Sequence, residues 1–386
     1  MVWLRILRTI MMWKFPKYEI NRPIDWTDIE SSYSWIQDMK GVPQDHEWHA
    51  EGDVFTHTKM VVEALISLAE FKCLPDQDKH ILFTSALFHD IEKRSTTTTE
   101  EIDGKIRIVS PRHAKKGEFT ARKILYTNIP TPFQVREQIT KLVRLHGLPL
   151  WAIQKTDPNK EVILASLQVN TQHLSILAKA DILGRICNDQ DEILLRIELF
   201  NELCKDNNCF GNPKLFPSHY GRFLYLNKPN TSPDYIPFDD LKFDVIIMSA
   251  LPGSGKDTYI HKNFNLPILS LDDIRRKHKI DPTNKKKNGQ VIQMGIERAK
   301  ELLRTKTSFV FNATNISNDM RNKWISLFTD YRARVKIYYL EVPYKTLLSQ
   351  NNNREYKVPE NIINSMINKL EIPTEKEAHE VKYIVN

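Results

Sequence analysis

The sequence predicts a two-domain protein, in which an all-α domain precedes an α/β domain with a parallel sheet. Apolar residues recur at three- and four-residue spacing from about residue 50 to residue 205, which is typical of packed helices. After residue 243, short apolar runs alternate with helical segments, and this alternation predicts parallel strands with helices on both faces. At 386 residues the chain is long enough to form two separate cores.

The predicted domain boundaries follow these changes of pattern. Residues 1–40 form an N-terminal extension, residues 41–205 the helical domain and residues 243–386 the α/β domain. Residues 206–242 are rich in Pro, Asn, Tyr and Phe and have little periodicity. We interpret them as a connector, and their aromatic side chains indicate that it packs on a domain.

Composition narrows the class of protein. A hydrophobic content of 41% with 27% charged residues is typical of soluble globular domains. The net charge of +7 suits a polyanionic partner, although a basic surface without a ligand fits equally well. The four cysteines lack C-x-x-C spacing, so we expect reduced thiols in a cytoplasmic protein.

No membrane segment is expected. No apolar run approaches the roughly 20 residues needed to cross a bilayer. The apolar start of the chain is interrupted by Arg5 and Arg8 and has no small-residue cleavage site, so it is a poor signal peptide. Met11 and Met12 leave a later translation start open.

The helices expected in the first domain follow from the apolar stripes. They span residues 55–71, 79–93, 114–126, 133–145, 157–168, 173–186 and 192–203. Residues 101–109 alternate around Asp103-Gly104, which predicts a β-hairpin. In the second domain, strands are expected at residues 244–248, 309–311 and 335–340, with a helix at 290–304.

A phosphate-binding loop is predicted between the first strand of the second domain and the following helix. The loop is expected to bind nucleotide phosphates through Gly253, Ser254, Gly255, Lys256, Asp257 and Thr258. Two residues depart from the common pattern, because Ala250 replaces the first glycine and Asp257 stands where a Ser or Thr usually reaches magnesium.

Asp272 follows a second strand, so it is expected at the same edge of the sheet as the loop. It can accept the proton of an attacking hydroxyl, and Arg275, one helical turn later, can hold a phosphate. The alternative is an ordinary acidic helix cap.

Inward-facing His and Asp side chains mark the first domain. His57, His89 and Asp181 fall on the apolar faces of three helices, and Asp90 follows His89. Buried polar groups of this kind need partners, and a shared divalent cation would satisfy them together. A lone inward histidine is more often a hydrogen-bonded core residue. His and carboxylate ligands suit Mn, Co, Ni, Fe or Zn, and such a metal activates water for attack on phosphorus.

The second domain resembles the 5′-OH polynucleotide kinases of phage and bacterial RNA repair over nearly all of residues 243–386. The resemblance implies ATP or another NTP with Mg²⁺ as donor, Asp272 as general base and Arg275 on the acceptor or scissile phosphate. It also implies that Arg354, just before Val358-Pro359, is a lid arginine on the donor phosphates. The strand ends in Asn312-Ala313-Thr314-Asn315, with Ala313 where these kinases often have Asp.

The first domain resembles the all-helical HD phosphohydrolase superfamily through the order H…H-D…D. Residues 48–58, W-H-A-E-G-D-V-F-T-H-T, look like the opening of the HD domain in bacterial tRNA nucleotidyltransferases. The resemblance implies four metal ligands and four residues lining the phosphate site, two of them possible ligands of a second metal. The ligands are His57, His89, Asp90 and Asp181; the phosphate-site residues are Lys93, Arg112, His113 and His146, of which His113 and His146 can bind the second metal. His49, Glu51 and Asp53 are interpreted as shaping the loop.

The fusion resembles the bacterial HD-Pnk family of RNA end-healing enzymes over about residues 40–386. That family resemblance implies hydrolysis of 2′,3′-cyclic, 2′- or 3′-phosphate ends and phosphorylation of 5′-OH ends of RNA or DNA, with an RNA ligase acting downstream. Two alternatives remain open. One is a small-molecule nucleotidase fused to a nucleotide or metabolite kinase; the other is a nucleic-acid-binding protein with silent sites.

Overall fold

The structure is a computed structural model and describes residues 12–281 and 284–385. The apolar start of the chain up to Met11, and with it the expectation about signal peptide and start codon, lies outside the described residues. The chain divides into two compact units, the first ending at Lys214 and the second beginning at Leu215. Each unit is described by itself.

The first unit is helical apart from one hairpin. Its helices are α1 (Trp26–Ser32), α2 (Ser34–Gln37), α3 (Val54–Ser67), α4 (Ala69–Lys72), α5 (Asp76–Phe88), α6 (Lys93–Thr96), α7 (His113–Thr127), α8 (Phe133–Leu145), α9 (Leu148–Trp151), α10 (Pro158–Ser166), α11 (Thr171–Leu183) and α12 (Gln190–Asp206). The antiparallel hairpin consists of β1 (Thr98–Ile102) and β2 (Lys105–Val109). The predicted all-α character and the predicted hairpin are both confirmed.

The seven expected helices correspond to α3, α5, α7, α8, α10, α11 and α12, with two informative differences. The segment expected at 55–71 is broken at Leu68, whose extended backbone separates α3 from α4. The helix expected to reach residue 93 ends at Phe88. Because α5 stops there, His89 and Asp90 lie in the turn between α5 and α6 and face the interior.

Four helices, α3, α5, α8 and α11, pack against one another and form the centre of this unit. Helix α3 begins at a cap in which Asp53 accepts a hydrogen bond from Thr56 N, and Asn170 caps α11 in the same way. Between these caps the inward faces carry buried Val61, Leu82 and Leu177. The polar site residues described below are held within this apolar surround.

A buried ion cluster joins α7 to α8. The Arg122 guanidinium lies 2.8 Å from the Glu118 carboxylate and 2.9 Å from that of Glu137. Burial would raise the pKa of both carboxyls, but Lys141 and Arg122 lower that of Glu118 to about 2, and Arg122 and Arg136 do the same for Glu137. Glu118 and Glu137 are therefore charged at neutral pH, and their pairing with Arg122 offsets the cost of burial.

The second unit is an α/β layer structure. Its strands are β3 (Asp244–Ala250), β4 (Ile268–Ser270), β5 (Phe309–Asn312), β6 (Arg334–Glu341) and β7 (Glu380–Val385), and its helices are α13 (His219–Asn227), α14 (Lys256–Asn263), α15 (Leu271–Lys277), α16 (Lys285–Arg304), α17 (Asn318–Asp330), α18 (Tyr344–Asn352) and α19 (Glu360–Ile367). The sheet has the order β4-β5-β3-β6-β7 and every pairing is parallel. The predicted parallel α/β domain is confirmed.

The two faces of this sheet carry separate cores, as a doubly covered sheet requires. Successive residues of β3 alternate between them: Val245 and Ile247 pack with Phe328 on one face, and Ile246 and Met248 pack with Ile260 on the other. The sheet therefore presents the carboxyl ends of its strands as a fixed edge for side chains.

Several elements of this unit had no predicted range, among them α13 and β7. Helix α13 lies within the segment interpreted as a connector, and its Phe223 ring stacks on His379 at 4.1 Å between ring centroids. Arg222 of the same helix donates a 2.9 Å hydrogen bond to the His379 carbonyl. Strand β7 contains no fully buried residue, so its sequence lacks the apolar run that marks β3.

Candidate active sites

The four residues expected to bind metal in the first unit come together. His57 lies in the first turn of α3, His89 and Asp90 follow α5, and Asp181 lies in the last turn of α11. The His57 Nε2 atom is 3.3 Å from His89 Nε2 and 3.1 Å from Asp181 Oδ1. Asp90 Oδ2 is 3.3 Å from His89 Nε2 and 3.6 Å from His57 Nε2. All four side chains are buried.

A second histidine pair faces the other oxygen of Asp90. His113 begins α7 and His146 directly follows α8, and their Nε2 atoms are 3.4 Å apart. These Nε2 atoms lie 3.3 Å and 3.9 Å from Asp90 Oδ1. Asp90 thus places one carboxylate oxygen toward the His57–His89 side and the other toward the His113–His146 side.

The ring orientation of three of these histidines is fixed by hydrogen bonds between Nδ1 and a backbone carbonyl. The Nδ1 atom of His89 is 2.7 Å from the Ala86 carbonyl, and the corresponding distances for His113 to Ser110 and His146 to Val143 are 2.7 Å and 2.8 Å. A backbone carbonyl only accepts, so each Nδ1 carries the hydrogen and each Nε2 keeps its lone pair. Those lone pairs point at Asp90, the arrangement that a metal ion requires of its imidazole ligands.

His57 has a different group behind it. Its Nδ1 atom is 2.8 Å from Glu51 Oε1 and 3.3 Å from the Gly184 carbonyl. Glu51 is fully buried, also accepts from His49 Nδ1 at 2.8 Å, and receives a 3.0 Å hydrogen bond from Ile186 N. Burial would raise the Glu51 pKa, but the hydrogen bonds from His49 and His57 lower it well below its usual value.

From the sequence, Glu51 was interpreted as a residue that shapes the loop. The structure also places its carboxylate against His57 Nδ1, where it accepts a hydrogen bond from the ring. The His-x-Glu-Gly-Asp string was the available signal. The second acid of that string, Asp53, caps α3 and also accepts a 2.7 Å hydrogen bond from Gly41 N, so it does shape the loop.

Cationic side chains flank the two aspartates. Lys93 Nζ is 2.8 Å from Asp90 Oδ2 and donates a 2.7 Å hydrogen bond to Gln44 Oε1. Arg185, one helical turn after Asp181, holds both of its carboxylate oxygens at 3.0 Å and 2.7 Å. Sequence reasoning missed Gln44 and Arg185, although the i, i+4 spacing from Asp181 was a signal for the arginine.

Arg112 lies apart from these contacts. It is exposed and adopts a left-handed backbone conformation, with φ of 59°, directly before His113 at the start of α7. A left-handed arginine is uncommon and marks a constrained turn. The structure places Arg112 beside the histidine pair but not in contact with Asp90.

The donor set fits a divalent metal. Among the described residues, Asp90 Oδ1 is buried without a hydrogen-bond partner, which an ion would supply. Among the described residues, three triads of ligand atoms lie close enough to share an ion. Two of them include Asp90, one with His57 and His89 and the other with His113 and His146, and the third consists of His49, Glu51 and His57.

The protonation states agree with that fit. Burial would raise the Asp90 pKa, but Lys93 and His89 hold it well below its usual value. Burial and the neighbouring His113 lower the His146 pKa to about 4. Burial lowers the His89 pKa, but Asp90, Asp181 and the Ala86 carbonyl together raise it above its usual value, as expected in an anionic pocket suited to a cation.

In the second unit, the loop after β3 has the geometry of a phosphate cradle. Gly253 and Gly255 have φ values of 87° and 82°, a left-handed conformation that glycine adopts without strain. A Cβ atom on Gly253 would lie 2.7 Å from the Leu347 carbonyl, so α18 packs directly on the loop. Ser254 Oγ is buried and has no hydrogen-bond partner among the described residues.

Lys256 and Asp257 are joined through the end of β5. Lys256 Nζ donates to Asn312 Oδ1 at 2.5 Å, and Asn312 Nδ2 donates to Asp257 Oδ1 at 2.8 Å. Burial lowers the Lys256 pKa, partly opposed by Asp257 and Asp272. Asn312 therefore holds the lysine head at the carboxyl edge of the sheet.

Asp272 lies in the first turn of α15 and is half exposed. Its Oδ1 atom is 2.5 Å from Arg275 Nη1, and Arg275 Nε donates to Asn288 Oδ1 at 3.1 Å. The cap of α15 is Ser270, whose hydroxyl accepts from Asp273 N, so Asp272 is not the helix cap. Its carboxylate is left facing the cavity described next.

One cavity of about 1670 Å³ gathers the predicted residues of this unit. It is lined by the loop residues Gly253, Ser254, Gly255, Lys256, Asp257 and Thr258 together with Asp272, Arg275 and Arg354. Arg354 follows α18 in a short loop that Asn351 closes by hydrogen bonds of 2.8 Å and 3.1 Å to Val358. Apolar side chains, including Ile292, Met320 and Trp324, also line the cavity.

The chain is similar to known proteins in both units. The HD domain family matches residues 54–185, and the AAA domain family named AAA_33 matches residues 245–373. An L-seryl-tRNA(Sec) kinase of Methanococcus maripaludis is 28% identical over 147 residues, which is 35% of this chain and 55% of that protein. The chain therefore spans about half the length of that curated relative.

Solved structures are similar at lower identity. A chain of the Pnkp1/Rnl/Hen1 RNA repair complex is 20% identical over 34% of this chain and 45% of that chain, with a TM-score of 0.31. A gluconokinase from Sinorhizobium meliloti 1021 is 14% identical over 37% of this chain and 82% of that chain, with a TM-score of 0.28. Within the part of the chain that the structure describes, no helix combines the length and apolar character needed to cross a membrane. The chain thus matches the HD domain model in its first unit and the AAA_33 model, a P-loop kinase domain, in its second, and this order matches the HD-Pnk architecture.

Proposed function

We propose that this protein heals RNA ends. The matched domains are those of an enzyme with a kinase domain and an HD phosphohydrolase domain. The observation that carries the proposal is the presence, in one chain, of two separate sites built for phosphoryl chemistry: the ligand set around Asp90 and the phosphate cradle around Lys256. One site would remove a 2′,3′-cyclic, 2′- or 3′-phosphate and the other would phosphorylate a 5′-OH.

The kinase reaction follows from the residues that line the cavity. Asp272 accepts the proton of the 5′-OH, whose oxygen attacks the γ-phosphorus of ATP or another NTP as the bond to the bridging oxygen breaks and the diphosphate leaves. Lys256 and Arg354 stabilise the negative charge on the transferring group, and Mg²⁺ with the NTP supplies further neutralisation. Arg275 orients Asp272 through its 2.5 Å contact and is available to the acceptor phosphate.

The hydrolase reaction is proposed for the site around Asp90. A divalent transition metal such as Mn, Co, Ni, Fe or Zn would be held by His57, His89, Asp90 and Asp181, with His113 and His146 available to a second ion, and would supply Lewis-acid activation. Lys93 neutralises charge on the phosphate beside Asp90. Water opens the cyclic diester by breaking one P–O bond to the ribose, and a second water releases phosphate and leaves the 2′,3′-diol.

One doubly labelled RNA tests both halves. An RNA with 5′-OH and 2′,3′-cyclic phosphate ends is incubated with the protein, ATP, Mg²⁺ and Mn²⁺, and both ends are mapped. We expect Asp90→Ala to abolish removal of the cyclic phosphate and to leave 5′ phosphorylation near the wild-type rate, and Lys256→Ala to do the reverse. Persistent hydrolysis by Asp90→Ala protein would refute the HD assignment.

Two controls separate this proposal from its alternatives. If a mononucleoside is phosphorylated as efficiently as the oligonucleotide, the kinase acts on small molecules and the RNA proposal fails. If both folded variants lose both activities, the sites are not independent. A downstream RNA ligase, which consumes 3′-OH and 5′-phosphate ends, is the expected partner, because the two reactions together produce those ends.

A further inference from the structure

A cavity of about 660 Å³ lies in the first unit beside the Asp90 site. We call it the hairpin pocket and define it by Gln44, Asp45 and Glu47 of the loop before α3, by Ile106, Arg107 and Ile108 of β2, and by Ile186 after α11. Its volume falls in the range of about 300–1,000 Å³ that is usual for small-molecule sites. The ligand set described above does not include any of these residues.

The pocket reaches the Asp90 site on one side through Gln44. This side chain is only 8% exposed, and its Oε1 atom accepts from Lys93 Nζ, which in turn lies 2.8 Å from Asp90. Because Oε1 is held, the amide orientation is fixed, and Gln44 Nε2 is a buried donor with no partner among the described residues. A buried donor of this kind indicates an acceptor that comes with a ligand.

The pocket reaches the same site on its other side through Ile186. The Ile186 N–H donates to Glu51, the carboxylate that holds His57, and Ala50 N donates to the Ile186 carbonyl at 3.0 Å. Each side of the pocket is therefore one hydrogen bond away from a residue that contacts the ligand set: Gln44 bonds to Lys93, and Ile186 bonds to Glu51. A molecule in contact with Gln44 would lie one side-chain contact from Lys93, which itself contacts Asp90.

The chemistry of the walls selects an uncharged flat group. The Arg107 guanidinium is fixed by Glu47 at 2.5 Å and Asp45 at 3.4 Å, and it stacks on the Trp48 ring at 4.2 Å. Two carboxylates offset this one cation, so a phosphate gains little there. Nucleobases, in contrast, stack on guanidinium planes and apolar surfaces, which Ile106, Ile108 and Ile186 supply.

We propose that the hairpin pocket binds the 3′-terminal nucleoside of the RNA whose phosphate is removed at the Asp90 site. The proposal rests on the proposed hydrolase function and names the part of the substrate that the site recognises. The base packs on the Arg107 side of the pocket, and the ribose lies toward Gln44. Trp48 acts as a positioning residue, since it holds the guanidinium.

The kinetic test compares RNAs that end in a normal or an abasic 2′,3′-cyclic nucleotide. Arg107→Lys keeps the charge but loses the stacking plane. We expect it to raise KM for the normal RNA about tenfold, since one stacked base has about this effect, and to leave kcat unchanged. The abasic RNA should show no change. Arg94→Lys, a half-buried arginine that pairs with Asp38 outside the pocket, is the matched control.

A second variant avoids any effect on folding. Ile106 is 80% exposed, so Ile106→Ser removes pocket surface without opening the core. We expect the same selective rise of KM. Equal effects of either variant on both RNAs, or no effect of either, would overturn the proposal.

Photocrosslinking provides a readout that does not depend on turnover. An RNA with a 3′-terminal 4-thiouridine and a free 3′-OH should form an adduct in segment 44–48 or 106–108 of the full-length protein. An adduct confined to other segments would overturn the proposal. If the protein crosslinks there but removes no terminal phosphate, the hydrolase proposal fails and the pocket stands. If it hydrolyses normal and abasic ends equally well, the pocket proposal fails and the hydrolase stands.

Discussion

The substitution Glu51→Gln tests whether the carboxylate behind His57 prepares this ring for a metal. Glu51 accepts from the ring nitrogens of His49 and His57 on one oxygen and from Ile186 N on the other. A glutamine cannot accept on both sides. In either orientation its NH₂ group faces a donor, and one of these hydrogen bonds is replaced by a repulsive contact.

The expected loss of metal affinity depends on the hydrogen bonds that His57 keeps after the substitution. Loss of a group that orients a metal-bound histidine typically weakens metal affinity 10- to 100-fold. The Gly184 carbonyl, 3.3 Å from His57 Nδ1, still accepts the ring hydrogen after the change, so the tautomer persists. We therefore expect the lower end, about tenfold or about 1.4 kcal/mol, at the ion bound by His57, His89 and Asp90. An ion between Asp90, His113 and His146 should keep its affinity.

The assay is calorimetric titration of chelator-stripped protein with Mn²⁺ or Ni²⁺, together with thermal melting in chelator to check the fold. Glu92→Gln is the control, because Glu92 is a buried carboxylate near the site whose partners are the Ser95 and Thr120 hydroxyls and the side chains of Arg94 and Lys116, not a histidine. Unchanged metal affinity in Glu51→Gln protein, or an equal loss in Glu92→Gln protein, would refute this reasoning.

Four further predictions concern the kinase site and the stability of the first unit. Lys256→Ala should reduce 5′ phosphorylation to background in a γ-phosphate transfer assay, and retained activity would remove the phosphate-loop assignment. Asp272→Asn should lower kcat at least about a hundredfold with ATP binding intact; recovery at saturating ATP would exclude a base. Arg354→Lys should slow transfer about tenfold or more, measured as kcat, whereas a wild-type rate would exclude a phosphate contact. The first unit should lose stability as pH falls from 4.5 to about 2, on the order of 3 kcal/mol for each of Glu118 and Glu137, because their folded pKa values lie below the unfolded value of 4.5. Unfolding followed by circular dichroism, with the Glu137→Gln protein as comparison, measures this loss. An unfolding free energy that does not change over this pH range would contradict the prediction.

Hydrophobic periodicity predicted the helices and strands that bury a clearly apolar face. It failed for elements whose buried face carries both polar and apolar side chains. The apolar faces of α3 and α8 and the largely buried sequence of α11 are clear, and the positions of these helices followed from the sequence. Helix α13 is short and its packing uses Arg222 and Phe223 against residues near the C-terminus, so no local pattern marks it. The end of α5 at Phe88 also escaped prediction, because apolar residues continue to Ile91.

The candidate site shows the same division between local and tertiary information. His57, His89 and Asp181 were singled out because an inward-facing polar side chain on an apolar stripe is visible in the sequence. The resemblance to the HD superfamily then implied that these three and Asp90 are the metal ligands. Gln44 was not, since its position depends on a loop that returns to Lys93 from 49 residues away. Residues that contact the site through another side chain carry no periodic signature of their own.

The order of H, H-D and D also leaves open how many ions the site holds, and the structure bears on that question through Asp90. Its two oxygens face different histidine pairs, and each of the four rings is turned from behind so that Nε2 points inward. A single ion near Oδ2 would leave the buried Oδ1 and the lone pairs of His113 and His146 without a partner, which is costly in an apolar surround. The arrangement therefore favours two ions bridged by Asp90, and metal analysis of Asp90→Asn and His146→Ala proteins should show loss of about two and about one ion per chain, respectively.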